Sequence, residues 1–188
     1  MGKSSSGKDT VYKKLIANPS LNLKIIVPYT TRPIRIGETD GVEYHFTDID
    51  GMENLKADNK IIECRSYNTV YGVWYYFTAK DDHINLKDND YLIIGTLESY
   101  VNTRDYFGAD KVIPIYIDLD DGERLSRAVN REKSQTQPKY EELCRRYLAD
   151  AKDFSEDNLK NAGITRYFEN DNLEKCFDEI CTFISSFK

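Results

Sequence analysis

No apolar run in this chain approaches the ~20 residues that a membrane-spanning helix needs, and no signal-peptide pattern opens it. A membrane partner is therefore not expected. Cysteine is sparse: Cys64, Cys144, Cys176 and Cys181 are scattered, with no C-x-x-C pair. That usage reads as reduced packing residues in a cytoplasmic protein. Histidine is scarcer still, and His45 and His83 have no zinc-ligand spacing. Positive charge is in deficit, with 26 Lys and Arg against 32 Asp and Glu and a net charge of −6, which argues against a nucleic-acid partner. Any anionic ligand must be met by a local basic cluster. What remains is ordinary for a globular protein: 188 residues, 40% hydrophobic and 31% charged, enough for one domain with small inserted lobes. Tyrosine is plentiful at 14, which suits planar ligands but also half-buried packing.

The densest signal lies at the start, in Gly2-Lys3-Ser4-Ser5-Ser6-Gly7-Lys8-Asp9-Thr10. This reads as a phosphate-binding loop, G-x-x-x-x-G-K, followed by a helix. Glycines let the backbone curl so that successive N–H groups can face phosphate oxygens, and the lysine then reaches the terminal phosphates. The residue after the lysine is usually Ser or Thr, whose hydroxyl holds Mg²⁺; here it is Asp9, the candidate metal ligand. The bland alternative is a polar N-terminal tail. Such a loop normally follows a buried strand, and none precedes Gly2, so the expectation is that the first strand is missing and the N-terminus incomplete.

Along the chain, residues 9–17 read as a helix and Leu23–Val27 as a strand. Residues 29–44, rich in turn formers and arginine, read as a functional loop. Residues 48–57 suit a short helix, 60–64 a strand, and the aromatic stretch Val70–Phe77 a hairpin partner. Tyr91–Ile94 and Lys111–Ile117 read as buried strands, the second made irregular by Pro114. Helices are expected over 97–107, 121–131 and from 140 to 154 or beyond, and a short strand over 165–168. A closing amphipathic helix follows, with Leu173, Cys176, Phe177, Ile180, Ile184 and Phe187 on one face. This alternation implies an α/β fold, a parallel sheet flanked by helices.

Tyr29-Thr30-Thr31-Arg32-Pro33-Ile34-Arg35-Ile36-Gly37-Glu38, then Gly41-Val42-Glu43-Tyr44-His45-Phe46, closely resembles the T-T-R-x-x-R-x-G-E-x-x-G-x-D-Y-x-F segment of the guanylate kinase family. The similarity extends through Ile62-Glu63, Tyr71-Gly72, the later arginines and Asn170-Asp171. It implies a P-loop NTPase-like domain: a core of about 1–28, 80–126 and 144–188, an inserted monophosphate-binding lobe of about 29–79, and a small lid of about 127–143. It also implies small-molecule nucleotides as partners, ATP and Mg²⁺ as donor and metal, GMP as acceptor, and a monomer or homodimer. By resemblance the ATP contacts are Ser4, Ser6, Gly7, Lys8, Asp9, Thr10 and Asn170. The acceptor contacts are Arg32, Arg35, Glu38, Tyr44, Glu63, Tyr71, Gly72 and Thr96. The catalytic charges are Lys8, Arg32, Arg127, Arg131 and Arg146, with Arg145 adjacent to the last. The chemistry agrees: arginine clamps a phosphate bidentately, and a carboxylate such as Glu63 suits guanine's adjacent N–H donors. Taken one at a time, Arg32 or Arg35 could be surface ion pairs, Tyr44 core, Asn170 a turn residue, and the later arginines solvated helix faces.

Several positions depart from the family pattern. Pro28 replaces the usual Ser, Val73 a hydroxyl residue, and Ile94 and Thr96 the usual aspartates, with Glu98 nearby. These changes bear on the choice of base. A ribose 1,5-bisphosphate kinase shares the G-K-D and Y-G-V features, and a non-catalytic guanylate-kinase-like interaction module is a third reading, disfavoured by an intact Lys8.

Overall fold

The computed structural model describes residues 1–35, 37–69, 71–80 and 84–187. Ile36, Val70 and His83, which entered the sequence reading, lie outside them. In chain order the elements are α1 (Lys8–Ile16), β1 (Leu23–Ile25), β2 (Tyr29–Thr30), β3 (His45–Phe46), α2 (Ile49–Ala57), β4 (Ile61–Thr69), β5 (Gly72–Ala79), β6 (Asp90–Leu92), α3 (Leu97–Phe107), β7 (Tyr116–Asp118), α4 (Asp121–Lys133), α5 (Tyr140–Asp153), α6 (Glu156–Asn161), β8 (Tyr167–Glu169) and α7 (Leu173–Ser185). The result is the α/β arrangement of parallel strands and flanking helices that the alternation implied. The chain divides into two compact units, one of residues 1–22, 94–100 and 113–188, the other of residues 23–93 and 101–112.

In the first unit, β7 and β8 pair in parallel, Tyr116 opposite Tyr167 and Asp118 opposite Glu169. Met1 continues the ladder on β7: its amino group donates to the Ile115 carbonyl at 2.8 Å, and Ile117 N–H donates to the Met1 carbonyl at 2.9 Å. Val11, Leu15, Tyr116, Ile117, Phe168, Cys176 and Ile180 form the buried interior. Helix starts follow their caps, since Asp120, Ser155 and Asn172 each accept from a backbone N–H three residues on. The strand expected over Lys111–Ile117 shrinks to Tyr116–Asp118. Pro114 has no N–H to give a ladder, and Ile113 stands 40% exposed. Phe187, placed on the closing helical face by its spacing, falls past the end of α7 and is exposed.

The second unit holds a parallel pair, β1 with β6, which ends at Leu92 rather than running to Ile94. It also holds a four-stranded sheet of order β3-β2-β5-β4. The loop expected over 29–44 thus begins with a strand, β2, joined antiparallel to β5 and parallel to β3. β4 and β5 form a long hairpin whose register shifts between Ile61 and Glu63, setting Glu63 opposite Thr78 and Arg65 opposite Tyr76. Met52, Phe77 and Ala79 are its core, with Tyr29, Leu55, Ile61 and Tyr75 packed around them. Cys64 and Cys144 are exposed, so of the four cysteines only Cys176 is a buried packing residue; burial pushes its thiol up to about 11. Among the described residues no helix is long and apolar enough to cross a membrane.

Candidate functional site

The candidate phosphate loop belongs to the first unit. Gly7 takes φ 86° and caps α1, and Ser5 takes φ 65°, so the chain reverses twice before the helix begins. Ser6 N–H donates to the Lys3 carbonyl, and the N–H groups of Thr10 and Val11 donate to the Gly7 carbonyl. The amides of Ser5, Gly7, Lys8 and Asp9 have no partner among the described residues. Neither do the buried hydroxyls of Ser5 and Ser6 or the Asn170 side-chain carbonyl. Buried polar atoms are rarely left unsatisfied in folded chains. A run of unpaired amides at a helix start is the donor set that polyphosphate oxygens need.

Asn170, sent here by the turn after β8, donates from Nδ2 to the Ser6 carbonyl at 2.7 Å. Arg127 of α4 donates to Glu123 at 2.9 Å and reaches the Asn170 carbonyl at 3.5 Å. Gly7, Thr10, Arg127, Asn170 and Leu173 line one cavity. A second lies over Ser4 and Ser5, walled by Arg131 and Arg146 among others. Six of the seven donor-side candidates follow one another along the loop and the first turn of α1, and the structure brings the seventh, Asn170, to them, with Arg127, Arg131 and Arg146 on the two helices beside it. Ser6 itself is fully buried. Lys8 and Asp9 open α1, Lys8 Nζ lying 3.4 Å from the largely exposed Asp9 carboxylate. Glu132, buried on α4, accepts from the Lys139 N–H at 2.9 Å and lies 3.9 Å from Arg146, tying the two ends of the 134–139 segment together.

Sequence reasoning missed the charges behind the loop. Arg124 is 1% exposed, donates to the Ser4 carbonyl at 2.9 Å and to Asp121 at 2.7 Å, and stacks over Tyr147. Burial pulls the Asp121 carboxyl up, but hydrogen bonds from Arg124 and Lys3 outweigh it and hold it below its ordinary 3.8.

The second unit carries the other arginine cluster. Arg32, 4% exposed, gives both arms of its guanidinium to Glu38, Nη1 at 2.7 Å and Nη2 at 2.5 Å. The Arg35 N–H donates to the same carboxylate at 2.8 Å. The hydrogen bond from Arg32 holds Glu38 down at about 2. Tyr44 and Phe46 offer their ring faces to Arg32 at 5.0 and 5.3 Å. Burial raises the Tyr44 phenol, and neighbouring Tyr76 adds to the effect. The Arg35 side chain is exposed and has no hydrogen-bond or ion-pair partner among the described residues. Glu63 is buried and occupied: Thr78 donates to it at 2.9 Å, Arg65 at 2.9 and 3.3 Å. Tyr71 and Gly72 sit at the exposed hairpin end, Tyr71 stacked on Trp74 with no contact to Arg32. Thr96 belongs to the first unit, where its hydroxyl accepts from Ser99 N–H and starts α3.

The model of the guanylate kinase family matches residues 1–78. A crystal structure of guanylate kinase from Anaplasma phagocytophilum superposes with a TM-score of 0.64 over 98% of this chain and 82% of that one, at 23% identity. The chain is thus similar to guanylate kinases in fold over nearly its whole length and, over residues 1–78, in sequence as well. The guanylate kinase of Neisseria meningitidis serogroup A is 39% identical over 77 residues, 41% of this chain and 36% of that protein. That of Brucella melitensis biotype 1 is 28% identical over 141 residues, 71% of this chain and 59% of that protein. The chain thus aligns with less than two thirds of the length of either relative. Within the guanylate-kinase-like frame, the family match takes in the loop, Arg32, Arg35, Glu38, Tyr44, Glu63 and Tyr71, and stops short of Thr96 and the arginines of α4 and α5.

Proposed function

We propose that the chain transfers the terminal phosphoryl group of ATP to a nucleoside monophosphate, with GMP as the first acceptor. The observation that carries this reading is the phosphate loop, with four unpaired amides across the loop and the first turn of α1 and two orphaned hydroxyls ahead of the helix. The likeness to guanylate kinases supports it. Phosphoryl transfer asks the protein for positioning and charge neutralisation rather than covalent work. The loop amides and Lys8 would hold the donor phosphates, Asn170 and Arg127 would border the nucleotide, and Arg131 and Arg146 would meet the charge on the transferred group. Arg32, Arg35 and Tyr44 would hold the acceptor phosphate, and Glu63 would read the base. Mg²⁺ neutralises donor charge when bound; Asp9 supplies the carboxylate oxygen, a hard ligand of the kind this ion takes. Among the described residues no cluster of three or more His, Cys, Asp or Glu side chains could hold a metal unaided, and the donor phosphates would supply further oxygen ligands beside Asp9.

A second acceptor class, a sugar phosphate such as ribose 1,5-bisphosphate, is favoured by one feature. Glu63 already carries Arg65 and Thr78, so guanine's two donors would have to displace an internal partner. ADP release measured against GMP, dGMP, AMP, UMP, CMP and ribose phosphates tests both readings. Turnover with GMP above all others supports the first, and turnover with a ribose phosphate alone the second. No ADP from any acceptor overturns the kinase assignment.

A further inference from the structure

The phosphate loop is held from behind by charges that the functional reading leaves unused. Ser4 is gripped at both ends: its N–H donates to Asp150 Oδ2 at 2.7 Å, and its carbonyl accepts from Arg124 Nη1 at 2.9 Å. Arg124 Nη1 also lies 3.8 Å from Asp150 Oδ2. The other arms of Arg124 donate to Asp121 Oδ1 at 3.0 and 2.7 Å, and Lys3 Nζ donates to that same oxygen at 3.0 Å. Tyr147 lies under the guanidinium, its ring centroid 4.9 Å away, and donates its hydroxyl to the Asp121 carbonyl. The loop supplies Lys3 and Ser4, α4 supplies Asp121 and Arg124, and α5 supplies Tyr147 and Asp150.

Burying a guanidinium is unfavourable unless its donors are met, and an apolar side chain fills a helix-packing position without that desolvation. A carboxylate beside an anion-binding loop is likewise unfavourable unless a cation neutralises it. Both conditions are satisfied here by each other, and both groups end on one residue of the loop, Ser4. We propose that Asp150 and Arg124 are positioning residues for ATP. Asp150 fixes the Ser4 N–H, while Arg124 fixes the Ser4 carbonyl and cancels the Asp150 charge. Together they hold the Ser5–Gly7 turn, with its unpaired amides, in the shape that receives phosphate. The helices that carry them also carry Arg127, Arg131 and Arg146, so the loop and the arginine-bearing helices are tied at one point. This inference rests on the nucleotide-binding reading above.

The test compares wild type, Asp150→Ala and Asp150→Asn by calorimetric titration with Mg·ATP in the absence of acceptor, and by ADP release with ATP and acceptor varied in turn. Loss of a charge-assisted hydrogen bond predicts that Asp150→Ala raises the Kd and KM for ATP by about tenfold or more. The acceptor KM stays unchanged. Asp150→Asn keeps an oxygen acceptor for Ser4 and brings ATP affinity back to within about threefold of wild type. A purely structural role would lower the melting temperature of both variants and leave ATP affinity equal wherever all three are folded; that result overturns the proposal. If Asp150→Ala does not fold, Asp150→Glu takes its place, shifting the carboxylate by one methylene. Weakened ATP binding then supports the proposal and unchanged binding overturns it. Wild type that fails to bind ATP overturns the nucleotide reading itself, an outcome distinct from wild type and variant binding equally well.

Discussion

The side-chain amide of Asn170 donates to the Ser6 carbonyl and fills the space into which a Cβ on Gly7 would project. These two residues are 163 positions apart in the chain, yet neither can change alone. Gly7 also takes φ 86°, a region that costs a residue with a Cβ about 1–2 kcal/mol. Gly7→Ala is therefore expected to displace Asn170, lower the melting temperature, and remove the stabilisation by ATP that the proposed function predicts for the wild type. A melting curve with and without ATP checks this.

Among the described residues Lys8 opens α1 with only a long side-chain contact to Asp9, so its removal disturbs little of the fold. Lys8→Ala should melt within a few degrees of wild type while ADP release falls by about a hundredfold or more, the scale of losing one charge aimed at the reacting phosphates. A melting scan beside steady-state kinetics separates the two effects.

Arg32 and Arg35 lie three residues apart but differ in exposure. Arg35 is exposed and unpartnered among the described residues, so Arg35→Ala should change stability by no more than about 0.5 kcal/mol. Its effect should fall on the KM for the acceptor, with the KM for ATP unchanged. Arg32→Ala leaves Glu38 without its partner and should lower both stability and activity, which makes Arg35 the cleaner probe.

Glu38 is held at about 2, below its ordinary 4.5, by the hydrogen bond from Arg32. A carboxyl with a depressed folded-state pKa stabilises the fold fully above the unfolded value and loses that contribution as pH falls toward the folded one. The melting-temperature gap between wild type and Glu38→Gln should therefore be constant above about pH 5 and close between pH 4.5 and 2. Melting curves across that range measure it.

The turn at Gly7 and the fork of Arg32 were legible in the sequence because a positive φ asks for glycine and a two-armed clamp for arginine, while Glu38, on which that fork closes, entered only through the resemblance. The support behind them was not. α4 buries Arg124, Ala128 and Glu132 at successive helical turns, a stripe that by composition reads as a solvent-facing side. Its partners, Ser4, Asp150 and Lys139, come from other elements, and no periodicity along one helix announces them. β2 escaped notice because it is two residues long and owes its existence to β5. The strand over 111–117 was drawn too long because apolar β-branched residues outweighed the missing N–H of Pro114. Glu63 entered the sequence reading through the family resemblance, but its occupation by Arg65 and Thr78 depends on a register shift that only the paired strands reveal.

Ser5 keeps a left-handed backbone, φ 65°, without being glycine. A glycine there would relax the turn by roughly 1 kcal/mol, but it would carry no hydroxyl. The loop thus keeps a buried hydroxyl, unpaired among the described residues, at a backbone position that favours glycine, and a glycine there would trade that donor for an easier turn.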